Sequence, residues 1–121
     1  MERKNLGDTG ETLPEIGLGT WRYKGDKAVV QRALSLGGEL IDTAEAYETE
    51  TKVANAIAGN RDSYFIATKV SGENLRTADL IKACEGSLKR LGVDVIDLYQ
   101  VHWPNDEIPI GESMQAMARL V

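Results

Sequence analysis

The sequence predicts an α/β protein: a two-stranded hairpin followed by four β-α units, (β/α)4, whose strands form one parallel sheet in a single domain over residues 1–121. Two observations lead there. Short apolar runs alternate with longer segments whose apolar residues recur at helical spacing, and strands that alternate with helices pair in parallel through right-handed crossovers. The strand candidates are also apolar at successive positions, as strands buried on both faces are. Three of them stop on a chemically active side chain, at Asp42, Lys69 and His102. In parallel α/β sheets active sites are built at such matching strand ends.

Residues 1–14 read as the hairpin, with Asp8-Thr9-Gly10 as its turn. Strand one is expected over Ile16–Trp21, where Gly17 and Gly19 signal close approach of backbone or ligand. Asp26 is placed to cap a helix running to Leu36, with Ala28, Val29, Ala33 and Leu36 as its apolar side and Gly37-Gly38 as its end. Strand two covers Glu39–Asp42. Helix two runs from Thr49 or Glu50 to Ala58 on Val53, Ala54 and Ile57, with Glu48 and Glu50 as a solvated helix start. Strand three is Tyr64–Lys69. Thr77 is an N-cap candidate for helix three, whose apolar side includes Leu80, Cys84 and Leu88, with Gly92 at the C′ position. Gly86 inside that helix costs about 1 kcal/mol against alanine, which close packing would explain. Strand four is Val95–His102, and Pro109 suits the first turn of a helix carrying Met114 and Met117 as core or interface residues.

Composition narrows the function. A net charge of -5 without a basic cluster argues against nucleic-acid binding. The single cysteine, Cys84, fits a reducing cytoplasm and the helix-three core. The polar start Met1-Glu2-Arg3-Lys4 lacks a signal-peptide core, and no apolar run approaches the roughly 20 residues of a membrane span. No metal is expected.

Side-chain parity sets Leu40 and Asp42 on one side of their strand, as it does Phe65, Ala67 and Lys69, and Leu98, Gln100 and His102. If these sides share one face, Asp42, Lys69 and His102 converge, with Tyr47 in the next loop. A free phenol, with a pKa near ~10, is a reluctant acid at neutral pH. An ammonium stabilises phenolate, a carboxylate fixes the ammonium, and an imidazole can orient a carbonyl oxygen. Tyr47 as acid, Lys69 as its tuner, Asp42 as the lysine's partner and His102 as orienter make a carbonyl-reducing site that still needs a hydride source, so a nicotinamide cofactor is implied.

The chain resembles the N-terminal half of an aldo-keto reductase. The resemblance rests on Gly17-Leu18-Gly19-Thr20-Trp21, Ile41-Asp42-Thr43-Ala44-Glu45-Ala46-Tyr47, Ala67-Thr68-Lys69-Val70, Ser87-Leu88-Lys89-Arg90-Leu91-Gly92 and Asp97-Leu98-Tyr99-Gln100-Val101-His102-Trp103-Pro104. It implies half of a (β/α)8 TIM barrel, NADPH as cofactor and a small-molecule aldehyde or ketone as substrate. It implies a catalytic tetrad of Asp42, Tyr47, Lys69 and His102. Gly19, Thr20, Trp21 and Asp42 are then expected beside the nicotinamide, and Trp21, Tyr47, His102 and Trp103 around the substrate.

Two departures from the family pattern matter. Glu48 stands where relatives carry glycine after the tyrosine, which strains the loop if the position needs positive φ. The residues end at Val121, about half of the ~250 usual for a full barrel, so most of the family's cofactor contacts are expected to lie outside them. A bare four-stranded sheet also exposes two edges and one apolar face. Completion as a homodimer or by a complementary C-terminal half is therefore expected. The alternative is a catalytically inert half-barrel fragment or engineered scaffold that self-associates through that face.

Overall fold

Each predicted element is present in the computed structural model, which describes residues 1–121. Strands β1 (Arg3–Asn5) and β2 (Thr12–Pro14) pair antiparallel as the hairpin. Then come β3 (Leu18–Gly19), α1 (Lys27–Ser35), β4 (Leu40–Asp42), α2 (Glu50–Ile57), β5 (Phe65–Val70), α3 (Thr77–Leu91), β6 (Leu98–Val101) and α4 (Ile110–Met117). The four later strands form one sheet in the order β3-β4-β5-β6, parallel throughout.

The helix ends follow from local chemistry. The Asp26 carboxylate accepts from the Ala28 N–H and so caps α1. Gly92 closes α3 at φ 65°, a left-handed conformation that costs glycine nothing. Thr77 is the first residue of α3 and not its cap. Its backbone N–H donates to the Glu112 side chain of α4, so one helix supplies the other's cap.

Several expectations are corrected. β3 and β6 are shorter than the apolar runs that signalled them, because pairing stops where the chain turns out of the sheet. On α1, Val29 and Leu36 are exposed, and the buried contact is made by Val30 with Ala33 and Leu34 half-buried. The apolar period was read one position off. Glu50 is 1 % exposed and is no solvated helix start.

The core lies between the sheet and its helices. One cluster joins Val30, Ile41, Val53, Ile57, Ile66 and Leu91 under α1 and α2; a second joins Val70, Leu75, Leu80, Ile108 and Ala116 under α3 and α4. Cys84 is buried with α3, as its spacing predicted. The opposite face of the sheet has no covering layer, and Leu40, Phe65, Leu98 and Gln100 are only half-buried there. No helix is long and apolar enough to cross a membrane.

Candidate active site

Strand register builds the site. Gly19, Asp42, Ala67 and Leu98 stand opposite one another in one row across the sheet, and Lys69 and Gln100 form the next row toward the strands' C-terminal ends. Lys69 lies two residues beyond the partner of Asp42 and so on the same face. Its Nζ lies 2.8 Å from both Asp42 carboxylate oxygens and 2.8 Å from the Thr43 carbonyl oxygen. An ammonium has three donors, and these three acceptors match them. Lys69 therefore acts on its other neighbours through charge.

Those neighbours are Tyr47 and His102. Tyr47 ends a one-turn 3-10 segment, Glu45–Tyr47, and its ring centroid is 5.1 Å from the Lys69 ammonium. Glu48 closes that turn at φ 56° and ψ 25°, so the position at which the family resemblance implies glycine is left-handed. A side chain there costs about 1 kcal/mol. The His102 backbone N–H donates to the Val70 carbonyl, which continues the β5–β6 ladder past its last paired residue. Its ring meets Tyr47 edge-on, with centroids 5.2 Å apart at 79°, and lies 4.2 Å from the Trp103 ring. Burial, and next the positive charge of Lys69, hold the His102 pKa below its ordinary value, against the opposing pull of Asp42 and Glu73. The imidazole is neutral at pH 7, with Nδ1 buried and without a protein partner.

Residues outside the expected tetrad hold this arrangement. The hydroxyls of Thr20, Thr49 and Thr43 form a buried chain, 2.9 Å and 3.1 Å apart, that ties the ends of β3 and β4 to the start of α2. Thr20 also donates its backbone N–H to the Asp42 carbonyl. Thr20 is wholly buried. It frames the site and offers a cofactor no surface. The Glu45 carboxylate accepts from the Ser71 N–H and the Asn74 side chain, fixing the Tyr47 turn to the loop after β5. Glu50 accepts from Thr68 Oγ1 and Arg90 Nε, each at 2.7 Å. Arg90 reaches it across Gly86, where a Cβ would lie 2.9 Å from the guanidinium; that group ends a flexible, partly exposed side chain that can shift, so the contact does not by itself require glycine inside α3. Only Thr49 and Glu45 carried a local signal, as a helix-start threonine and a turn acid; the Glu50–Arg90 pair spans forty residues and carried none.

The remaining sequence candidates sit around this centre. A Cβ built on Gly19 would meet nothing within 4 Å, and Trp21 nearby is 65 % exposed. The open backbone at Gly19, paired with Asp42, suits a flat ring such as a nicotinamide, while the Trp21 indole carries the Arg22 guanidinium over its ring at 4.6 Å. Next to Tyr47 opens a cleft of about 530 Å³ that includes Arg22, Lys24 and Lys52, a cationic rim on an acidic chain. Trp103 is 42 % exposed and its ring lies 4.2 Å from that of His102.

The chain matches the model of the aldo/keto reductase family over residues 15–121. It is 42 % identical over 113 residues to the methylglyoxal reductase DkgB of Salmonella typhi, covering 88 % of this chain and 42 % of that protein. It is 38 % identical to the aldo-keto reductase YhdN of Bacillus subtilis, over 99 % of this chain and 43 % of that protein. Among solved structures, the thermostable aldo-keto reductase Tm1743 bound to the inhibitor epalrestat superposes with a TM-score of 0.91 at 42 % identity, over 98 % of this chain and 49 % of that one. An aldo/keto reductase of Klebsiella pneumoniae holding NADP and acetate superposes at 0.85 and 39 % identity, over 91 % and 42 %. The chain spans less than half the length of these relatives.

Proposed function

The chain belongs to the aldo/keto reductase family, and from that premise we propose that it is the proton-donating half of an NADPH-dependent reductase of small aldehydes and ketones. One observation carries the reading: Asp42 and the Thr43 carbonyl saturate the Lys69 ammonium, which stands 5.1 Å from the Tyr47 ring, itself edge-on to a neutral His102. Relatives crystallised with NADP or NADPH support the cofactor, and the methylglyoxal and diketogluconate reductases support the substrate class.

The residues divide the work. His102 donates a hydrogen bond to the carbonyl oxygen and orients it. Tyr47 delivers its hydroxyl proton to that oxygen as the C–O double bond opens, leaving a phenolate that the Lys69 charge stabilises. Asp42 holds Lys69 in place. Trp21 and Trp103 are the apolar surfaces available to the carbonyl substituent. NADPH, when bound, supplies hydride to the carbonyl carbon, and Gly19, Trp21 and Asp42 are the residues that would hold its nicotinamide end. A cytoplasmic location belongs to the same reading, which a single buried cysteine fits.

The bare sheet face favours a second reading, an inert half-barrel that self-associates or receives a complementary C-terminal half. A groove of about 640 Å³ beside the β6 edge, lined by Leu88, Ile96, Met114 and Met117, leaves apolar surface for such a partner. Three measurements separate the readings. NADPH oxidation with an aromatic aldehyde should fall at least about a hundredfold in Tyr47→Phe, and equal rates in both proteins dismiss catalysis. Saturable quenching of NADPH fluorescence is expected of the reductase and absent from the inert scaffold. Light scattering at micromolar concentration reports assembly, and a well-behaved monomer rules out self-association.

A further inference from the structure

We propose that Gly72 is a specificity-determining residue: it is the seat of the Trp103 indole, and by fixing that ring it sets which carbonyl substituents fit beside Tyr47. The identity of the ligand rests on the reductase reading; the seat itself does not.

Gly72 opens the short 3-10 segment after β5 and is buried. A Cβ built on it would fall closer than 3.0 Å to Nε1 and Cδ1 of Trp103 and 3.2 Å from Cε2. The pyrrole edge of the indole therefore rests on the glycine α-carbon, in space that every other residue type would fill. Gly72 is absent from the positive-φ glycines, so the position demands glycine for room and not for backbone conformation. Alanine can adopt this backbone, and the collision falls on the indole.

The seat cannot retreat. Asn105 donates to the Gly72 carbonyl at 3.0 Å, the preceding Ser71 N–H donates to Glu45 at 3.0 Å, and Asn74 donates to the same carboxylate. Glu45 belongs to the turn that carries Tyr47, so the seat and the proton donor share one frame. From Gly72 the rings run in a continuous row: Trp103, then His102 at 4.2 Å, then Tyr47 at 5.2 Å. Trp103 is held on one side and open to solvent on the other. A methyl group at position 72 must drive the ring off its seat and change the wall that a substituent meets next to His102.

The test uses the full chain and reads the two indole N–H signals by NMR, with Trp21→Phe assigning the Trp103 signal. In Gly72→Ala the Trp103 signal should shift while the Trp21 signal stays. Titration with an aromatic aldehyde and with methylglyoxal, followed at these signals, needs no cofactor. The ratio of the two affinities should change by about tenfold, the discrimination typical of one methyl group in a pocket. In a Trp103→Ala background, which removes the ring atoms that meet the seat, Gly72→Ala should leave both the affinity ratio and the thermal midpoint unchanged; this also decides the matter if the single variant folds poorly. An unmoved Trp103 signal overturns the seat. A moved signal with an unchanged ratio overturns the specificity role. Loss of NADPH oxidation in the parent protein with aldehyde binding intact counts against the reductase reading alone.

Discussion

The two faces of the parallel sheet are made by alternate residues of the same strands and have opposite fates. On the helix side Ile41, Ile66, Thr68 and Val70 are wholly buried. On the other side Leu40, Asp42, Phe65, Lys69, Leu98 and His102 are half-buried and meet no second layer. The polar groups follow the same division. Thr68 on the covered face is consumed by Glu50, whereas the ionised groups of the bare face keep one another in place and stay within reach of a ligand. Two-residue periodicity thus separates stability from chemistry along a single strand.

The sharpest way to break that comparison is a pair of neighbours on β5. Ile66→Ala removes a wholly buried side chain of the main cluster and should cost about 3–4 kcal/mol. Phe65→Ala, one residue away on the bare face, should cost about 1 kcal/mol because half its surface is already wet. Denaturant midpoints measure both. A Phe65→Ala loss equal to that of Ile66→Ala, and growing with protein concentration, would show that a partner covers the bare face in solution.

A second variant sharpens the comparison on the polar side. Glu50→Gln keeps the shape of the buried carboxylate and removes the charge that Arg90 and Thr68 meet. Arg90 is itself partly exposed, which screens the pair, so the expected loss is about 2 kcal/mol, below that of a fully buried ion pair. The bonds among Asp42, Lys69 and Thr43 do not pass through Glu50, so aldehyde binding should change far less than stability. A larger effect on binding than on unfolding would mean that the two faces are coupled through Thr68 and Lys69.

How much of this was legible follows from where each signal lives. The β-α order, the parallel sheet and the convergence of Asp42, Lys69 and His102 are consequences of period and parity, which a sequence displays. The left-handed Glu48 was legible only because the family resemblance implies glycine there. The face of α1 was misread because Val29 and Val30 are chemically equivalent, and only the packed sheet selects Val30. Glu50 looked like a solvated helix start because acids are common there; its partners Thr68 and Arg90 are remote in sequence, and nothing local distinguishes a buried acid from an exposed one. Thr20 was placed by motif beside the cofactor, yet its environment is decided by Thr49 and Asp42, which only the fold brings to it. The Gly72 seat was invisible for the same reason: a glycine after a strand reads as a turn until the indole lies on it.

The smallest expected effect tests whether the bare face is as open to protons as its geometry implies. His102 is the only histidine, so its titration can be isolated by difference. Burial first, then the Lys69 charge, depress its folded pKa, while Asp42 and Glu73 pull the other way. In the unfolded chain the ring takes up its proton near the ordinary value of 6.5. Between that value and the depressed folded one, the unfolded state binds more protons than the folded state, so stability rises with pH across the window. The contribution is complete above about pH 7 and is lost as the pH falls through 6.5 toward the folded pKa. Denaturant midpoints taken from pH 8 to pH 5 should therefore fall more steeply for the parent than for His102→Gln. The difference is small because the ring is only half-buried and solvent screens its neighbours. A parent that gains stability over His102→Gln on acidification would show that Asp42 and Glu73 outweigh burial and Lys69. The imidazole would then enter the cleft charged, as an acid competing with Tyr47 for the carbonyl oxygen.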